Sequence, residues 1–475
     1  MLWIGLHFPR LPLETLLRGS PSPEAWAVIE QDRILLADRK ALARGVRPGM
    51  LLSAALAMAP QLQTRRRDAA AETENLLGLA AWASQFTPSV ALEFPDGLVV
   101  EVSGSLKLFG GLENLIDRVK TGLADMGFGA TLAVAPTAKA ASWLAREGQG
   151  RFVKNSQELK EALQSLPIHL LLHGRQDTQE GWAAIGVSTL GALLALPREG
   201  VARRFGQEVL DEVDRALGRL ADPRSFFSLP ARFHAAIELP AEIAQAEALA
   251  FAGRRLLAQL AGFLAARSAG VQRFVFRLFH REGPSTDLDV GLVAPSRDAG
   301  HFTLLLRERL GSLVLREPAR SIVLEAGNVV PFAGTDRSLI PEDRTAPGDW
   351  PRLIERLRAR LGNEAVHSVA VAPEHRPELA QRSVEPGTGQ LQLDFGERPF
   401  WLLGAPRPIK EVASVPHYQG PLTLLAGPER IESGWWDGED VARDYFVART
   451  PDDALVWVYR ERGQAEGWFL HGVFS

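Results

Sequence analysis

Leu2-Trp3-Ile4-Gly5-Leu6-His7-Phe8 opens the chain as an unbroken apolar run that stops at a histidine. The run is short and carries no basic leader or cleavage site, so it reads as a buried strand and not as a signal peptide. A second stretch belongs with it: Pro95-Asp96-Gly97-Leu98-Val99-Val100-Glu101-Val102-Ser103-Gly104-Ser105. Asp-Gly between apolar runs is a strong hairpin signal, which makes residues 90–103 a hairpin with Asp96-Gly97 at its apex.

Working outward, Leu11 to Leu17 reads as a short helix with Pro12 tolerated in its first turn. Trp26-Ala27-Val28-Ile29 and Ile34-Leu35-Leu36-Ala37 are short strands around a polar turn. Ser53 to Ala59 is a helix that Pro60 stops. Residues 72–86 form an amphipathic helix. Leu112 to Met126 is another, with Leu112, Leu115, Ile116, Val119 and Leu123 on one face. Thr131-Leu132-Ala133-Val134-Ala135 is a strand, Pro136 ends it, and Thr137 is placed to cap the next helix. Residues 167–223 read as compact and helical. Residues 232–335 read as an α+β unit with a long Ala/Leu helix over 244–266, an alternating strand at Arg273-Phe274-Val275-Phe276-Arg277-Leu278, and a helix near 299–311. Residues 373–408 are rich in Pro and Gly and read as linker. Beyond 400 the chain turns aromatic, with Trp401, Trp435, Trp436, Trp457 and Trp468 and all three tyrosines, as a small β-rich module would be. Trp435-Trp436 and Trp468-Phe469 read as its core, with partner anchors as the other reading.

The 475 residues suggest about three or four domains. A hydrophobic content of 46% is ample for several cores. No apolar run reaches the roughly 18 residues of a membrane span, so no membrane association is expected. The absence of cysteine excludes disulfides and thiolate zinc sites and fits a cytoplasmic protein. The net charge of −4 weighs against strong unaided DNA binding, which needs clustered Lys and Arg.

The order of these elements resembles palm, fingers, palm, thumb and little finger of the Y-family translesion DNA polymerases. The resemblance covers residues 1–335 of the 475. It implies an α+β, multidomain fold: a palm over 1–165 with fingers inserted at about 25–68, a helical thumb over 166–225, and a little-finger-like domain over 232–335. A linker over 336–399 and a C-terminal β-rich interaction module over 400–475 follow. Ala41-Leu42-Ala43-Arg44-Gly45-Val46-Arg47-Pro48-Gly49-Met50 is similar to the family's fingers. Trp182 to Gly191 resembles the helix-hairpin-helix-like turn of its thumb.

Active members carry a metal-binding Asp where this chain has His7, and an Asp-Glu pair where it has Asp96-Gly97. Mg²⁺ is hard and binds carboxylate oxygen, so a His and a Gly cannot replace that charge. The family's aromatic steric gate corresponds to Leu11 and Pro12, and its triphosphate-binding Tyr and Arg to Arg39 and Leu42. The opening through Pro9 and the ending, Asp444-Tyr445-Phe446-Val447-Ala448-Arg449 with Gly467-Trp468-Phe469-Leu470-His471-Gly472, resemble the ImuB group of noncatalytic Y-family relatives. The resemblance implies an adaptor in damage-induced mutagenesis, with no metal and no cofactor. Its implied partners are DNA, the sliding clamp, an error-prone replicative-type polymerase and an ImuA-type RecA-like protein. The alternative is an active translesion polymerase with divergent ligands, for which Glu93 and Glu101 are the obvious substitutes. Glu101, five residues from Asp96, falls on the opposite face of a strand.

Gln390-Leu391-Gln392-Leu393-Asp394-Phe395 resembles the bacterial clamp-binding peptide, with Gln390 setting register and Leu391, Leu393 and Phe395 as apolar anchors. An ordinary amphipathic strand is the plainer reading of the same pattern. Arg203, Arg204, Arg273 and Arg277 are candidate DNA contacts, with Lys107, Lys120 and Lys139 as further phosphate candidates.

Overall fold

The first strand, β1 (Trp3–His7), is the pivot of the N-terminal part, and its first four residues are buried. The computed structural model describes residues 1–19, 22–171, 181–332, 349–386, 397–463 and 467–474. These fall into two compact units, Met1–Arg360 and Leu361–Ser475.

After β1 comes α1 (Leu11–Leu17), and then a small subdomain: β2 (Trp26–Glu30), β3 (Arg33–Ala37), α2 (Arg39–Ala43), α3 (Leu52–Met58) and β4 (Gln63–Arg66). Its sheet has the order β3-β2-β4, with β4 parallel to β2. Asp38 caps α2 by accepting from Ala41 N at 2.7 Å. The chain returns through α4 (Ala69–Ala83), three residues earlier than the apolar pattern predicts because Asp68 supplies the cap. β5 (Val90–Glu93) and β6 (Gly97–Glu101) form the expected hairpin. α5 (Leu112–Met126) buries Leu115, Ile116, Val119, Leu123 and Met126, and Gly127 ends it in the left-handed conformation. β7 (Thr131–Ala135) completes a sheet of order β5-β6-β1-β7.

Against this sheet lies α6 (Ala138–Glu147). A Cβ on Gly5 would sit 2.1 Å from Ala141 O, so only glycine lets the helix backbone approach β1 this closely. Thr137 accepts from Ala140 N at 3.3 Å, as a cap should, and its hydroxyl also donates to Ala216 O at 2.7 Å. That second bond ties the sheet to a helical block of α7 (Ser156–Gln164), α8 (Leu190–Leu194), α9 (Arg198–Phe205) and α10 (Gln207–Ala216). In its core Trp182, fully buried, stacks on Phe205 with centroids 3.5 Å apart.

The next block holds β8 (Phe233–Ile243), α11 (Ala246–Ala266), β9 (Ala269–His280), β10 (Thr286–Ser296), α12 (Ala299–Gly311), β11 (Ala319–Ala326) and β12 (Val329–Pro331). Its sheet runs β10-β9-β11-β8, with β12 beside β9. Among the described residues α11 alone is long and apolar enough to cross a membrane. Here it is a core helix that buries Leu249, Leu256, Leu260 and Phe263. Trp82 of α4 fits between Gly122 of α5 and Gly262 of α11, where added Cβ atoms would fall 2.3 and 2.2 Å from the indole. The two glycines let α11 dock directly on α4 and α5.

Residues 336–399 are not one linker. α13 (Asp349–Leu361) is a helix whose Glu355 is buried against His301 of α12 and also accepts from Val293 N at 2.7 Å. Ile354 and Ala359 are buried beside Glu355, and this packing is what Pro/Gly counting overlooks.

In the second unit, β13 (Ser368–Val371) and β14 (Gln381–Val384) pair as a hairpin. Between them Arg376, 3% exposed, is held by Asp437 at 2.6 Å and Glu374 at 2.9 Å. The unit's main sheet contains β15 (Trp401–Val412), β16 (Val415–His417), β17 (Thr423–Ser433), β18 (Val441–Arg449), β19 (Leu455–Glu461) and β20 (Trp468–Val473), in the order β16-β15-β20-β19-β18-β17. One face buries Tyr445, Trp457 and Tyr459, and the other Val456, Val458, Trp468 and Leu470. The expectation that Trp435-Trp436 is core is overturned. The pair lies in the turn between β17 and β18, 81% and 58% exposed, and the aromatic core is built instead from residues alternating on paired strands.

Candidate functional site

Sheet register decides which side chains meet. His7 lies opposite Gly97 on one neighbour and opposite Thr131 on the other, so the end of β1, the start of β6 and the start of β7 share one edge. β7 runs away from that edge and α6 returns towards it. The last turn of α6 therefore brings Arg146 back beside His7.

Asp96 sits at the centre of this edge. Arg146 Nη1 donates to Asp96 Oδ1 at 2.7 Å, and His7 Nε2 lies 3.4 Å from Oδ2. Arg146 Nη2 also donates to Glu93 O at 3.3 Å, and Phe8 N to Asp96 O at 2.8 Å. Burial pushes the Asp96 carboxyl up, but the hydrogen bond from His7 and the Arg146 charge outweigh it and hold the group below the usual carboxylate range. On its other side His7 Nδ1 is 3.4 Å from Thr131 Oγ1.

The neighbouring carboxylate is likewise engaged. Glu93 accepts from Ser142 Oγ at 3.0 Å and forms an ion pair with Arg224, which also donates to Asp222 at 2.6 Å. Glu101 is elsewhere. It lies opposite Trp3, at the far end of the strand from His7, and accepts from the backbone N–H of Leu2 and Ser103 at 3.3 and 3.1 Å. Neither glutamate joins Asp96. A side chain at 97 would begin 3.1 Å from Glu93 Cβ and 3.2 Å from Leu6 O, so the position is tight for anything larger than glycine. Among the described residues no group of three or more His, Cys, Asp or Glu side chains is placed to hold a metal ion.

The edge is thus a set of ion pairs in which Arg146 and Arg224 already balance Asp96 and Glu93. Sequence reasoning missed both arginines. The available signal for Arg146 was a basic residue in the last turn of the helix after β7, where helix C-termini favour cations.

The candidate DNA contacts divide. Arg203 and Arg204 lie exposed at the end of α9, and the Arg204 guanidinium sits 5.5 Å from the Phe205 ring centroid. Arg273 and Arg277, by contrast, are bound across strands. Arg273 Nε donates to Asp289 at 2.9 Å, and Arg277 donates to Asp287 at 3.0 and 3.2 Å and lies 3.6 Å from Glu325. The alternation that exposes the arginines also places carboxylates beside them, so this face is not the free basic stripe that the sequence suggests. Lys139 likewise pairs with Glu212 at 2.7 Å. Gln390, Leu391, Leu393 and Phe395 lie outside the described residues.

Residues 17–146 match the impB/mucB/samB family. The chain is 29% identical over 467 residues to Protein ImuB of Caulobacter vibrioides (strain NA1000 / CB15N). The match covers 91% of this chain and 100% of that protein. Protein ImuB of Caulobacter vibrioides (strain ATCC 19089 / CIP 103742 / CB 15) matches with the same figures. Among solved structures, an insertion ternary complex of Dbh DNA polymerase shares 16% identity, covering 70% of this chain and 99% of that one at a TM-score of 0.40. DinB from Sulfolobus solfataricus shares 17% identity, covering 70% and 100% at a TM-score of 0.39.

Proposed function

For this ImuB-type, Y-family-like chain we propose the role of a catalytically inactive adaptor in translesion synthesis and damage-induced mutagenesis, acting in the cytoplasm. The observation that carries the reading is the Arg146–Asp96 pair. Two-metal phosphoryl transfer draws its cations into clustered anionic oxygens. Here the acid matched to the family's second motif is neutralised by a guanidinium, and the first acid is replaced by His7. Glu93 is held by Arg224 in the same way. A cation would have to displace fixed arginines, which is costly where the charges are partly desolvated.

In this reading the body binds DNA weakly, Gln390 to Phe395 docks on the sliding clamp, and the chain recruits an error-prone polymerase and an ImuA-type partner. Domain functions follow the palm, fingers, thumb and little-finger order. Primer extension with the purified full chain tests the central claim. No template-dependent incorporation with Mg²⁺ or Mn²⁺ is the expected result. Extension that disappears in Asp96→Ala would establish an active polymerase instead.

A further inference from the structure

The turn between β17 and β18 is a rigid mount for two exposed indoles. The rings of Trp435 and Trp436 are 81% and 58% exposed and stand at 82° to each other, with centroids 5.6 Å apart. The backbone beneath them is tied down. Arg376 Nη1 donates to Asp437 Oδ1 and to Glu439 O, both at 3.1 Å, and Glu439 N donates to Asp437 Oδ1 at 3.0 Å. Gly434 has a φ of +95°, and a Cβ there would fall 2.4 Å from Glu439 O, so the turn closes only over glycine. Ser433 Oγ donates to Glu374 at 2.9 Å, and the Arg376 guanidinium lies under the Trp436 ring, 5.7 Å from its centroid. Large aromatic side chains held in solvent on a fixed backbone are pre-organised for contact, because the fold has already ordered the anchor.

The charge of this turn is negative. Arg376 is buried and is shared between two carboxylates, Glu374 and Asp437. Glu439 and Asp440 are further acids in the same turn, and both are exposed. Phosphates of nucleic acid and anionic lipid headgroups are repelled by such a rim. A second copy of the same turn is repelled as well. A cation is attracted twice, by the carboxylates and by the electron-rich face of an indole. Arg376 already uses this second attraction from beneath Trp436.

We propose that the Trp435–Trp436 turn docks a basic segment of a protein partner, with an arginine or lysine side chain against the two indoles and with Glu439 and Asp440 attracting its charge. A neutral apolar segment would cover the rings but leave the acids without a counter-charge. The inference rests on the adaptor reading for the existence of such a partner and not for the chemistry of the turn. Primer extension tests that reading separately, because it concerns the edge of His7, Asp96 and Arg146 and not this turn.

Fluorine NMR on the full chain carrying fluorotryptophan tests this, with the two resonances assigned from Trp435→Phe and Trp436→Phe. The probe is a short peptide of alternating arginine and glycine, and the control is its glutamate counterpart. The expected result is a saturable shift of both resonances with the arginine peptide and none with the control. By calorimetry, affinity for the arginine peptide should fall at least ten-fold in Trp435→Ala with Trp436→Ala, and at least three-fold in Glu439→Gln with Asp440→Asn. Both variants should keep the melting temperature of the parent chain, since all four side chains are exposed. Full affinity in the double tryptophan variant would overturn the proposal, because an acidic surface alone would then suffice. So would the absence of any shift at millimolar peptide. A response of the two resonances to a single-stranded oligonucleotide, to phosphatidylglycerol vesicles or to protein concentration alone, in place of the peptide, would assign the turn to nucleic acid, membrane or self-association and overturn it too. A chain that neither extends primers nor binds the peptide keeps the adaptor reading and loses this one.

Discussion

Arg146 and Asp96 stand 50 positions apart in sequence and 2.7 Å apart in space, joined at the edge where β1, β6 and β7 meet. The arginine side chain is 8% exposed and the aspartate 28%, so the pair is partly desolvated. Arg146→Ala therefore leaves the carboxylate with the His7 ring as its remaining side-chain partner. A loss of about 1–3 kcal/mol is expected in denaturant unfolding at neutral pH. The folded-state pKa of Asp96 lies below its unfolded value, so its contribution is fully present above the ordinary carboxylate range and is lost as pH falls through the folded pKa. Asp96→Asn should be less stable at pH 7 and show a shallower loss of stability below about pH 4.

His471 provides a second pH handle, in the C-terminal unit. It is 1% exposed, and its Nδ1 lies 2.7 Å from the Tyr445 hydroxyl. Burial pushes its pKa down to about 4, with Glu378 opposing and Arg443 assisting. A depressed imidazole pKa means that the unfolded chain takes the proton first. Stability from the neutral ring is full above about pH 6.5 and is lost as pH falls towards about 4, by at most about 3 kcal/mol. Unfolding followed by tryptophan fluorescence across that window should show the slope, and His471→Gln should flatten it.

The aromatic residues of the same unit separate by position. Trp457 is 1% exposed and stacks on Tyr445 with centroids 4.0 Å apart. Trp457→Ala should cost about 3–5 kcal/mol. Trp435→Ala and Trp436→Ala should each change stability by no more than about 0.5 kcal/mol, because both rings are largely in solvent. Thermal melts of the three variants check the contrast.

DNA affinity should depend more on Arg203 and Arg204 than on Arg273 and Arg277. A phosphate must break the pairs to Asp289 and Asp287 before it can use the latter. Fluorescence anisotropy with a primer–template should show a smaller salt slope in Arg203→Ala with Arg204→Ala, by about one for each phosphate that goes unneutralised. If Arg273→Ala with Arg277→Ala has the greater effect, the β-sheet face is the DNA surface after all.

On the proposed clamp-docking role of Gln390 to Phe395, replacing Gln390, Leu393 and Phe395 with Ala would remove one register amide and two apolar anchors. Clamp affinity should fall by at least about 100-fold, from a loss of about 3–5 kcal/mol. The melting temperature should stay where it is. Surface plasmon resonance against immobilised clamp, paired with a thermal melt, distinguishes impaired docking from impaired folding.

The sequence alone determined β1, the Asp96-Gly97 hairpin, the buried stripe of α5, the Thr137 cap and the alternation along β9. Each is a backbone preference or a local period, carried by residues close together in the chain. Tertiary structure decided the rest. Arg146 meets Asp96 because an antiparallel strand and a returning helix bring their ends to one edge. Arg273 and Arg277 lose their freedom because β10 and β11 place acids opposite or diagonal to them on the same sheet face. Trp457 is core and Trp435 is not, though both are tryptophans in an aromatic-rich segment, because one lies on a paired strand and the other in a turn. α13 packs through a buried Glu355–His301 pair that no Pro/Gly count foretells. Pairings of this kind depend on which element ends the topology places together. One chain position does not encode that by itself.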